Sequence, residues 1–189
     1  LNPHIEDIAR RLALDGFMAF APDALTPLGG YPGDEDKARE LFATLNQAKA
    51  LEDFVAAAEW LNARPDASGK LGAVGFCYGG GIVHVLSSRL PQLNAAVPFY
   101  GNVPAPSEAA KVKAPLLVHH AAVDERINAA WPAYAAALKT AGVKYEEHQY
   151  PGTQHGFNND TTPRYDAAAA KLAWDRTIAF FKSRLQAAS

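Results

Sequence analysis

Leu71-Gly72-Ala73-Val74-Gly75-Phe76-Cys77-Tyr78-Gly79-Gly80-Gly81 is the stretch on which the fold turns. Residues 71–76 are a short apolar run that predicts a buried strand, and a helix is expected from about Gly80 to Leu90. Gly75-x-Cys77-x-Gly79 therefore falls where a strand turns into a helix, the context of a nucleophile elbow. Glycines two residues before and two after the cysteine let the backbone turn sharply and let neighbouring chain pass close to a strained residue. The N–H groups and positive dipole end of the following helix favour a thiolate at Cys77, with the Tyr78 N–H as the expected oxyanion donor.

Outward from this turn the chain alternates. Ala95–Tyr100, Leu116–Ala121 and Lys144–Tyr150 predict further strands, and helices are expected near Ala129–Ala141 and Tyr165–Leu185. Upstream, Asn2 and Pro3 begin a helix whose apolar face is Ile5, Ile8, Ala9 and Leu12, stopped by Gly16. Phe17–Ala21 reads as a buried strand ended by Pro22-Asp23. The pattern from Asp34 to about Arg64 is helical, with a break near Asn46. Strands alternating with helices predict an α/β fold with a mostly parallel sheet covered on both faces.

The length of 189 residues suits a single domain. With 49% hydrophobic and 20% charged residues the composition is that of a soluble globular protein. A net charge of −2 and the lack of a basic stripe interleaved with aromatics argue against nucleic acid as a partner. No apolar run approaches the roughly 18 residues that span a bilayer, so no membrane is expected. The single cysteine excludes an intramolecular disulfide and is compatible with a reducing, cytoplasmic compartment.

A lone cysteine is more often a small buried hydrophobe than a nucleophile. Two partners favour chemistry here. Asp124 follows the strand at Leu116–Ala121, and His155 lies between Gln154 and Gly156 after the last strand. Both are at carboxyl ends of strands, where active sites of open α/β sheets collect. The order Cys77, Asp124, His155 is nucleophile, acid, base. In that reading His155 takes or shares the thiol proton and Asp124 fixes its tautomer. The structural alternatives are a solvated Asp124, or Asp124 as the cap of the helix near Asn128, with Glu125 then the acid. His119 and His120 are adjacent in a strand and point to opposite faces. No histidine and carboxylate spacing suggests a metal, and no phosphate loop is present, so no cofactor is implied.

The chain resembles the dienelactone hydrolases (carboxymethylenebutenolidases) over nearly its whole length. The resemblance is carried by Asn2-Pro3-His4-Ile5-Glu6-Asp7, Ala21-Pro22-Asp23, Gly75-Phe76-Cys77-Tyr78-Gly79-Gly80, Pro98-Phe99-Tyr100-Gly101, Asp124-Glu125-Arg126-Ile127, and Tyr150-Pro151-Gly152 with His155-Gly156-Phe157. It implies an α/β-hydrolase fold, a monomer or weak homodimer, and opening of a small ester or lactone by a Cys77-Asp124-His155 triad. Members carry several strands and a His-Glu-Asn-Arg-Gly-like turn ahead of the Asn-Pro helix. That turn supplies a glutamate partner for the cysteine and a second oxyanion donor, and this sequence begins after it. One lost oxyanion donor costs a factor of ~10²–10³ in rate, so the competing expectation is a weak or inactive remnant that acts as a binding domain. The arginines that hold a dienelactone carboxylate in the family are replaced here by Ala24-Leu25-Thr26-Pro27 and Asn158-Asn159-Asp160. Arg126 and Arg164 are the candidate substitutes, and Tyr100, Phe157 and Trp131 are candidates to line a mainly apolar pocket.

Overall fold

A computed structural model describes residues 1–186, and the chain divides into two compact units, 1–69 and 70 onward. In the first unit, helix α1 (Pro3–Leu14) starts where Asn2 accepts a hydrogen bond from the Ile5 N–H at 3.1 Å. Gly16 ends it at a φ of 88°, a left-handed turn that other residues reach only at a cost. Helices α2 (Glu35–Ala43) and α3 (Gln47–Asn62) are capped by the side chains of Asp34 and Asn46, so the expected break falls at Asn46. Asp23 accepts from the N–H groups of Leu25 and Tyr31, both at 3.0 Å, and so ties the intervening loop to one carboxylate.

Phe17–Ala21 corrects the sequence reading, because it forms no strand. Met18 and Phe20 are 46% and 45% exposed, while Phe17, Ala19 and Ala21 are half-buried. The alternation suits a pleated segment, but a strand also needs a hydrogen-bonded neighbour. Among the described residues the run has none.

The second unit is built on a four-stranded parallel sheet in the order β1 (Leu71–Phe76), β2 (Leu93–Phe99), β3 (Leu116–Val123), β4 (Tyr145–Gln154). Helix α4 (Tyr78–Arg89) connects β1 to β2, and α5 (Glu125–Thr140) connects β3 to β4. A short 3₁₀ segment, Pro106–Lys111, lies between β2 and β3, and α6 (Ala167–Leu185) follows β4. The neighbouring residues His119 and His120 point to opposite faces, as expected in a strand. His119 bonds Thr177 of α6, whereas the His120 ring lies 4.7 Å from Trp131 of α5. His84 of α4 packs edge-on against Tyr134 of α5 at 5.7 Å. Helices α4 and α5 thus cover one face of the sheet and α6 the other.

The central strands carry the core. Ala95, Ala96, Val97, Phe99 and Ala121 have no exposed surface. Burying a side chain such as Phe99 contributes about 1.5–3 kcal/mol. Thr177, His119, Tyr150 and Arg176 are paired in a directed chain. The Thr177 hydroxyl donates to the Ala173 carbonyl (2.8 Å), so its oxygen accepts from His119 Nε2–H (3.1 Å). His119 Nδ1 is then free to accept from the Tyr150 hydroxyl (2.9 Å), whose oxygen accepts from Arg176 (3.1 Å). This network fixes the histidine tautomer and ties α6 to β3 and β4. No described helix is long and apolar enough to cross a membrane.

Candidate active site

Cys77 is the one residue between β1 and α4, and its backbone sits at φ 55°, ψ −113°. That conformation is strained for any residue with a side chain. It is held from both sides: the Cys77 N–H donates to the Phe99 carbonyl and the Cys77 carbonyl accepts from the Gly81 N–H, each at 3.1 Å. The glycines explain how chain can pass this closely. A Cβ on Gly75 would lie 2.1 Å from the Gly79 carbonyl oxygen, and one on Gly80 would lie 2.5 Å from the Phe99 carbonyl oxygen. Gly101 meets Gly80 in the same way, at 2.2 Å from its carbonyl carbon. Gly79 itself has open space where a Cβ would be. The close crossing is therefore Gly80 against Gly101, with Gly75 beneath the turn, and not the symmetric pair that the motif suggests.

Strand β3 ends at Val123, and Asp124 occupies the cap position of α5 without capping it. Its carboxylate instead accepts from His155 Nδ1 at 2.6 Å. His155 follows β4, and its Nε2 lies 3.0 Å from Cys77 Sγ. Three side chains from three strand ends thus form one line, with the sulfur exposed, the imidazole half-buried and the carboxylate nearly buried. Glu125, the alternative acid, is exposed.

The electrostatics agree with the geometry. The hydrogen bond from His155 is the main cause that lowers the Cys77 thiol below its ordinary range. The His155 charge, the Tyr78 N–H and the Arg126 guanidinium assist, and partial burial opposes them. His155 is raised, chiefly by its bond to Cys77 and next by its bond to Asp124, against the effect of burial. Both shifts favour a thiolate facing an imidazolium.

The remaining candidates are placed unevenly. Arg126, in the first turn of α5, bonds Asn102 Oδ1 and acts electrostatically on Cys77. Tyr100 packs its ring 5.0 Å from His155, and Phe157 packs against Tyr100 at 5.5 Å. Both rings are buried, at 2% and 0% exposed, so they back the imidazole from inside. Trp131 is not brought to this site: it packs among His120, Tyr134 and Tyr145, and its indole N–H donates to Glu147. Arg164 lies beside Gly156, 3.6 Å from where a Cβ would stand. The sequence offered no reason to single out Asn102, whose only signal is its place just after the Phe99-Tyr100-Gly101 turn. Among the described residues no cluster of three histidine, cysteine or carboxylate side chains could hold a metal ion.

A parallel sheet whose strand ends bring together a strained cysteine, a histidine and an aspartate defines the class: an α/β-hydrolase fold. The chain belongs to the dienelactone hydrolase family, whose model matches residues 1–185, and it is thereby a hydrolase. An Escherichia coli (strain K12) protein named "Putative carboxymethylenebutenolidase" is 33% identical over 197 residues, 96% of this chain and 72% of that protein. Among solved structures, the "Putative Dienelactone Hydrolase" of Klebsiella pneumoniae superposes with a TM-score of 0.83 at 31% identity, covering 95% of this chain and 81% of that one. The dienelactone hydrolase of Anabaena variabilis, 22% identical with a TM-score of 0.73, shares the fold over 98% of this chain and 81% of its own.

Proposed function

We propose that the chain hydrolyses a small carboxylic ester or lactone through an acyl-cysteine at Cys77. The observation that carries this reading is the line Asp124 Oδ2, His155 Nδ1, His155 Nε2, Cys77 Sγ, with contacts of 2.6 Å and 3.0 Å at its two ends. The thiolate attacks the carbonyl carbon, and the oxyanion that forms takes a hydrogen bond from the Tyr78 N–H at the start of α4. Collapse breaks the C–O bond to the leaving oxygen, which accepts the proton from His155 Nε2. A lactone keeps that alcohol on the acyl chain, whereas an ester releases it. Water then gives a proton to His155 and attacks the thioester carbon, the C–S bond breaks, and the acid departs with Cys77 a thiolate again. Asp124 holds the imidazole in the tautomer and orientation that both steps need.

Arg126 is the side chain proposed to face a polar or anionic end of the substrate. Its guanidinium is exposed, lies within electrostatic reach of the sulfur, and has no carboxylate partner among the described ion pairs. Tyr100 and Phe157 act one layer further in, as the wall behind His155. The test is turnover of p-nitrophenyl acetate by the intact chain and by Cys77→Ala. Loss of turnover in the variant is expected, and equal rates in the two proteins would overturn the acyl-cysteine reading.

A further inference from the structure

Just before both Asp124 and His155, the ladder between β3 and β4 slips. Ala121 pairs with Tyr150 and Val123 with Gln154, so a single residue of β3, Ala122, stands opposite three of β4: Pro151, Gly152 and Thr153. Gly152 absorbs the detour at a φ of 72°. A slip of this kind removes the carbonyl that the Ala122 N–H would have met in a regular ladder. The Thr153 hydroxyl stands in for it, accepting from the Ala122 N–H over a long 3.4 Å while donating to the Tyr150 carbonyl at 2.7 Å. The side chain is 2% exposed, so water has little access to either group. The carbonyl of the same Ala122 accepts from Asn128 Nδ2 at 3.2 Å, and that nitrogen also donates to the Ala121 carbonyl at 2.9 Å.

Both polar groups of Ala122 are thus held by side chains, two residues ahead of Asp124. Thr153 is itself two residues ahead of His155. We propose that Thr153 is a positioning residue: its hydroxyl fixes the irregular ends of β3 and β4 so that Asp124 and His155 meet at 2.6 Å and the imidazole stays aimed at Cys77. This rests on the reading of Cys77 and His155 as the reacting pair.

The experiment measures the rate of Cys77 alkylation by iodoacetamide against pH, with a thermal melt for each protein. The proteins are the intact chain, Thr153→Val, Thr153→Ser and Thr153→Ala. In the intact chain the alkylation midpoint is expected below that of an ordinary thiol. Thr153→Val keeps the shape but loses the hydroxyl, and is expected to move the midpoint up by about one pH unit, tenfold in rate on the rising limb. Thr153→Ser restores it. A folded valine variant with the midpoint of the intact chain overturns the proposal. Thr153→Ala removes the hydroxyl without placing a methyl against two peptide groups, so it gives the same reading if the valine variant does not fold, and an unshifted midpoint there overturns the proposal equally. An ordinary thiol midpoint in the intact chain contradicts the reading of the reacting pair itself, which separates that failure from a failure of Thr153.

Discussion

Cys77 combines a backbone at φ 55° with a sulfur 3.0 Å from an imidazole, and each feature makes the other useful. The strained turn lifts the side chain off the end of β1, and the contact with His155 lowers its pKa while raising that of the histidine. Activity against pH follows with a definite sign. As pH falls through the lowered Cys77 value the thiolate is protonated and acylation slows. As pH rises through the raised His155 value the imidazolium proposed to protonate the leaving oxygen is lost. A bell-shaped kcat/KM profile for p-nitrophenyl acetate is expected, with its acid limb below the range of ordinary thiols. Cys77→Ser puts an alcohol of much higher pKa into a site tuned to a thiolate, and esterase assays should show a drop of at least ~10³-fold. Asp124→Asn keeps the size of the side chain but no longer selects the tautomer, and a fall in kcat of about 10⁴-fold is expected with little change in thermal melting.

Among the elements, the turn from β1 into α4 was the most legible. Its strand spans Leu71–Phe76 as the apolar run predicted, because a short buried strand bounded by turn residues has few other readings. What the motif could not convey is which glycine is under pressure. Gly75→Ala drives a methyl into the Gly79 carbonyl, whereas Gly79→Ala meets nothing and removes a glycine from a helix. Denaturant melts should show Gly75→Ala losing more than about 3 kcal/mol and Gly79→Ala within about 1 kcal/mol of the intact chain. Phe17–Ala21 shows the opposite limit. An apolar run is a property of one segment, but a strand is a property of two, and among the described residues no neighbour pairs with this run. The slip between β3 and β4 was hidden for the same reason, since Gly152 announces a turn in sequence while the register that Thr153 repairs belongs to the pair of strands.

Across the whole molecule, the proposed chemistry of the site is written in chain order, while the buried histidines are not. Cys77, Asp124 and His155 could be picked out because each follows a strand, and parallel strands deliver their carboxyl ends to one edge. His84 and His120 carried no such mark, yet they stand neutral on the face covered by α4 and α5. Burial pushes His84 down to about 3, with the nearby His120 adding to the effect, and pushes His120 down to about 4 against the pull of Asp124. Folded-state values below the ordinary 6.5 mean that the unfolded chain binds protons first as pH falls. Stability should therefore decline below about pH 6.5, by up to about 1.4 kcal/mol per pH unit for each imidazole, until the folded values are reached. Melts of the intact chain against His84→Phe between pH 7 and pH 4 would show a shallower acid decline in the variant. The central claim, an acyl group carried on Cys77, is tested most directly by acid-quenching the intact chain during turnover of p-nitrophenyl acetate and mapping the adduct by mass spectrometry. One acetyl group on the peptide containing Cys77, absent from Cys77→Ala, is the predicted result. Steady turnover with no adduct on Cys77, undiminished in Cys77→Ala, would contradict it.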